Sequence, residues 1–144
     1  MKIALYILFG IYLLILSVED IRSKKIHIAL LLSGAVLIPF FIFFVKETDM
    51  WNCLLGMFPG LILLIISIAS KGGIGIADAV VVFILGANLG IGAVVTVLSA
   101  AFILITIFSG GLLIFGKLKM KSTLPFIPFV FVAFLVGVFF MGIV

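Results

Sequence analysis

Six apolar runs, separated by links of only a few residues, leave this chain few ways to fold. They are Ile3 to Val18, Ile26 to Val45, Met50 to Ser70, Ala79 to Ala87, Ile91 to Phe115 and Leu124 to Val144. Wound as a helix, about 20 apolar residues match the ~30 Å hydrocarbon core of a bilayer. Barrel strands are about 10 residues long and alternate polar with apolar positions, a pattern these runs lack. The first run is slightly short, so its helix is expected to continue through Glu19 and Asp20. Pro39 is expected to kink the second, and Asn88-Leu89-Gly90 to form a tight turn between the fourth and fifth. The chain is 67% hydrophobic and only 10% charged, which excludes an ordinary soluble domain. The expected fold is all-α, a polytopic membrane protein with about six transmembrane helices. Residues 1–144 are expected to form a single transmembrane domain.

The charges set an orientation. Six spans alternate the links between two sides. Arg22, Lys24, Lys25, Lys71, Lys117, Lys119 and Lys121 fall on one side, and Lys2 and Lys46 on the other. The excess of basic residues marks the cytoplasmic side, which places both termini outside. A net charge of +4 held in such links indicates a lipid bilayer as partner, not nucleic acid. The start, Met1-Lys2 followed by an apolar stretch, has the look of a signal peptide. Its exit, Leu16-Ser17-Val18-Glu19, offers no small-residue cleavage site, so a retained first helix is expected. The single Cys53 excludes an internal disulfide and a zinc site built from cysteine pairs. It reads as a small apolar helix residue. His27 has no second histidine or cysteine near it and reads as an interface residue.

Against this background Lys71-Gly72-Gly73-Ile74-Gly75-Ile76-Ala77-Asp78 stands out. Three glycines within four positions free the backbone from helical geometry. The stretch ends in Asp78, the only acid after Asp49. An ionisable group at membrane depth costs about 2.5–3.5 kcal/mol on insertion scales and marks a functional site by default. With the links alternating, Asp20 and Asp78 fall on the same, cytoplasmic, face. Two carboxylates sharing one low-dielectric site cannot both ionise, so they hold one proton between them. Such a pair activates water against a peptide carbonyl with no metal and no cofactor. Plainer readings stand beside this one. Asp20 can be an interfacial acid paired with Arg22 or Lys24, Asp78 an early-turn helix cap, and Glu19 a solvated charge. A proton- or ion-coupled transporter or channel using Asp78 is the competing functional class.

These residues carry a family resemblance. Asp20-Ile21-Arg22-Ser23-Lys24-Lys25-Ile26 matches a D-x-R-x-x-x-I pattern after the first helix. Gly75-Ile76-Ala77-Asp78 resembles a G-x-G-D motif before the fourth, with Ala77 in place of its second glycine. Leu124-Pro125-Phe126-Ile127-Pro128-Phe129 resembles a P-F-x-P-F segment opening the last helix. In this order and topology the chain resembles the type IV prepilin peptidases, which include the archaeal preflagellin peptidases. Val80 stands where that family has a lysine, and His27 where a proline often follows the first motif. The cysteine-pair insert of the larger bacterial members has no counterpart, so the likeness is to the short, peptidase-only members. The resemblance implies an intramembrane aspartyl endopeptidase of the cytoplasmic membrane. It would cleave the basic leader of pilin-like or archaellin-like precursors at the cytoplasmic face. Asp20 and Asp78 would be the catalytic pair. Gly72, Gly73 and Gly75 would shape the turn that admits the substrate backbone. No metal and no cofactor is implied.

Overall fold

The computed structural model describes residues 2–23, 26–44, 49–70, 75–115 and 124–140. The regular structure among the described residues is helical, with no strand. The helices are α1 (Lys2–Ser23), α2 (Ile28–Ser33), α3 (Ile38–Phe44), α4 (Met50–Ala69), α5 (Ile76–Ile114) and α6 (Ile127–Phe140), with a 3-10 turn, Gly34–Leu37, between α2 and α3. Three of them, α1, α4 and α5, are long and apolar enough to cross a membrane. The continuous helical stretch Ile28–Phe44 and α6 are shorter and also apolar.

α1 runs past Glu19 and Asp20 to Ser23, as the short first run requires. Its buried face is Leu5, Phe9, Tyr12, Leu13 and Leu16, spaced three and four apart as helix geometry demands. Asp20 is the next position of that stripe, so its carboxylate enters the bundle. Ile3, Ile7, Ile11 and Leu14 on the opposite face are exposed and suited to lipid. α6 packs antiparallel to α1, joining Phe9 to Phe134 edge-on with ring centroids 5.6 Å apart. Phe41 of α3 closes the aromatic group against Phe9 and Tyr6.

The second apolar run stays helical from Ile28 to Phe44, with a tightened 3-10 turn, Gly34–Leu37, just ahead of Pro39. Pro39 has no amide hydrogen, and its ring excludes the normal bond to the carbonyl four residues back. That carbonyl, of Ala35, instead accepts the Ile38 amide, one residue tighter than α-helical spacing. Two carbonyls in and just before this turn accept side-chain donors, which suits backbone at membrane depth. The Tyr12 hydroxyl donates to Leu31 O at 2.8 Å, and the Asn88 amide donates to Gly34 O at 3.3 Å.

α5 is the central post. From Ala79 to Gly90 nearly every residue is buried. Its first half packs on α4 with unusually close backbones. A side chain on Gly56 would run into the Gly86 carbonyl, one on Gly86 into the Gly56 carbonyl, and one on Gly60 into the backbone of Phe83. Two small-x-x-x-small motifs, Gly56/Gly60 and Gly86/Gly90, thus form one interface. The expected turn at Asn88-Leu89-Gly90 is a single-residue break at Gly90 (φ 81°, ψ 175°), with helix resuming at once. The Ile91 amide left free there donates to Asn52 Oδ1 of α4 at 3.0 Å, a cap supplied from the neighbouring helix.

Candidate active site

Three helix ends meet at one end of the bundle: the C-terminus of α1 and the N-termini of α5 and α6. The buried stripe of α1 carries Asp20 to this end, where it is only 8% exposed. Its Oδ2 accepts the backbone N–H of Ile127 at 3.3 Å. That bond comes from the first turn of α6, the positive end of a helix, and it ties the P-F-x-P-F-like segment to the first acid.

Asp78 lies in the first turn of α5, three residues after the N-cap Gly75. The helix therefore begins at Ile76, before the expected start at Ala79. Asp78 is part-buried, and the Gly75 amide donates back to its carboxylate, an arrangement typical of an acid at the third helical position. A Cβ at Gly75 would stand 2.8 Å from Asp78 Oδ2, so glycine is what leaves the carboxyl group its room. Gly72 and Gly73 lie outside the described residues, and so does Lys71.

The structure brings Asp20 and Asp78 to the same end of the molecule, close enough for the charge on Asp20 to act on Asp78. Two helix N-termini face this pair and offset part of the cost of a charge there. Among the described residues no three His, Cys, Asp or Glu side chains come together.

Glu19 differs from the solvated charge expected of it. Its side chain is 20% exposed; Oε1 pairs with His27 Nδ1, and Oε2 is buried with no hydrogen-bond partner among the described residues. His27, extended at the N-cap of α2 (φ −66°, ψ 130°), reaches Glu19 with its ring while that ring stays in the open. Arg22 is exposed. Cys53 is buried in α4, and its thiol donates to Ala87 O, a packing role at the α4–α5 contact.

A family model described as the type IV leader peptidase family matches residues 7–143. The chain belongs to the type IV leader peptidase family. Searches of curated proteins and of solved structures gave no match. Membership makes the protein a leader-peptidase-type protease, and the match takes in both acids, Gly75 and the opening of α6. The Ile127 amide contact to Asp20 has no mark in the sequence, because it comes from a backbone group. Its nearest signal is Pro128, which fixes where the last helix begins.

Proposed function

We propose that this leader peptidase is an intramembrane aspartyl endopeptidase with Asp20 and Asp78 as its catalytic pair. The observation that carries the reading is their meeting at one end of the bundle, in a chain with only five acidic residues in all. The ionised carboxylate takes a proton from water as its oxygen attacks the scissile carbonyl. The protonated partner gives its proton to the carbonyl oxygen. Collapse of the tetrahedral intermediate breaks the C–N bond: the proton first taken from water passes to the leaving nitrogen, and a hydroxyl proton of the intermediate returns to the partner carboxylate, so the pair regains its one proton. Neither a covalent intermediate nor a metal enters this scheme.

In this reading the chain is a single domain of six spans, with α5 counted twice across Gly90 and Ile28–Phe44 counted once. The site faces the cytoplasm by the distribution of basic residues. The substrate is a pilin-like or archaellin-like precursor cut between its basic leader and its apolar helix. Gly75 keeps the backbone beside Asp78 bare where the substrate must approach. The transporter reading loses ground to geometry, since Asp78 sits in the first turn of a helix at the bundle end rather than at mid-depth. The test is cleavage of such a precursor by the purified protein in vesicles, with product ends mapped by mass spectrometry. One cut at the leader junction, unaffected by chelator, is expected. Ion or solute flux without any cleavage would replace this reading with the transporter.

A further inference from the structure

The opening of α6 can be accounted for amide by amide. The first four N–H groups of a helix have no partner inside it. In α6 these positions are Ile127, Pro128, Phe129 and Val130. Pro128 has no hydrogen to offer. Phe129 and Val130 both donate to Phe126 O, at 3.1 and 3.3 Å. Ile127 alone is left, and its amide points at Asp20 Oδ2. Its side chain is 0% exposed, as is that of Val130 one turn on, so this helix end is anchored in the core and holds its donor still.

We infer that the Ile127 amide is a positioning donor for Asp20, fixing its orientation and keeping the pair's one negative charge there, so that Asp78 holds the shared proton. A hydrogen bond to the charged form of a carboxyl group favours that form, and the N-terminus of α6 adds to it. Asp78 also accepts an amide, but from Gly75 in its own first turn. That bond travels with Asp78 and does not tie it to another helix. Among the described residues, the titratable groups near Asp20 leave the assignment intact. α5 presents Asp78, and the last turn of α1 carries Glu19, already paired with His27, and the exposed Arg22. Neither α6 nor the stretch Ile28–Phe44 has a titratable side chain. The inference rests on the two-aspartate reading above and adds to it which member is base and what holds it so.

The test deletes one hydrogen. Ile127→Pro removes the donor at a helix-opening position that tolerates proline, while Ile127→Ala removes the side chain and keeps the amide. Cleavage of a single-span precursor is followed against pH in lipid nanodiscs. Losing the donor disfavours the carboxylate, so in Ile127→Pro the acid limb of kcat/KM moves to higher pH by about one unit. Below that midpoint the rate falls roughly tenfold. Ile127→Ala loses rate through packing, but its midpoint stays at the wild-type pH. A contact that merely tied α1 to α6 would alter thermal stability and leave the midpoint alone. An unmoved midpoint in folded Ile127→Pro therefore overturns the inference. If that variant does not fold, the wild-type protein labelled with 15N-isoleucine decides. The Ile127 amide, identified by its loss from the spectrum of Ile127→Val, is expected to titrate along the same acid limb. A flat resonance overturns the inference. Cleavage by Asp20→Asn would instead remove the two-aspartate reading itself, so the two failures are distinct.

Discussion

Gly75 has no side chain where Asp78 needs the space. The atom a Cβ would meet is a carboxylate oxygen, the free end of a side chain, which can swing away at small cost to the fold. If that oxygen is the one that does chemistry, the same swing is expensive for catalysis. Gly75→Ala is therefore expected to lower kcat/KM by roughly tenfold or more while thermal stability in detergent stays near wild type. Equal losses in stability and activity would make Gly75 a structural residue only. That Asp20 and Asp78 share one end of the molecule was legible in the sequence from the alternation of the links, although local sequence alone offered each acid a plainer role. The pairing of Glu19 was not, since its partner His27 lies eight residues on, beyond the end of α1, and the Ile127 amide has no side-chain signature at all.

Between helices, tight packing here depends on missing side chains. Apolar side chains gain little by leaving lipid for protein, so α4 and α5 associate through close backbone contact at Gly56, Gly60 and Gly86. Gly56→Ala and Gly86→Ala are each expected to cost about 1–3 kcal/mol through overpacking, measured by thermal or steric-trapping unfolding in bicelles. Gly92→Ala is the control, because nothing lies within 4 Å of a Cβ there; it is expected to be neutral or slightly stabilising. Equal losses at all three positions would contradict the interface. Both glycine pairs are visible in the sequence as Gly56-Met57-Phe58-Pro59-Gly60 and Gly86-Ala87-Asn88-Leu89-Gly90. What cannot be read there is that they face each other. The Gly90 break was legible from Asn88-Leu89-Gly90, but its rescue by Asn52 was not, because that cap comes from 39 residues away.

Across the whole molecule, the apolar runs announced the helices but not which faces meet. In a soluble helix polar residues mark the outside. Here the outside is apolar as well: Ile3, Ile7 and Ile11 are exposed on the same helix that buries Phe9 and Leu13. Charge carries what orientation remains. Arg22 lies at the α1 end of the bundle that holds both acids, and Trp51 at the start of α4. In a background with Cys53 replaced, Arg22→Cys is expected to react with a membrane-impermeant thiol reagent only from the cytoplasmic side. Trp51→Cys should react only from outside, and the reverse pattern would invert the topology. The account stands or falls on the two acids acting as one unit. In vesicles carrying a cognate precursor, Asp20→Asn and Asp78→Asn should each reduce cleavage to background with membrane insertion intact, and the double variant should be no worse than either. Full cleavage by either single variant, or losses that simply add, would contradict it.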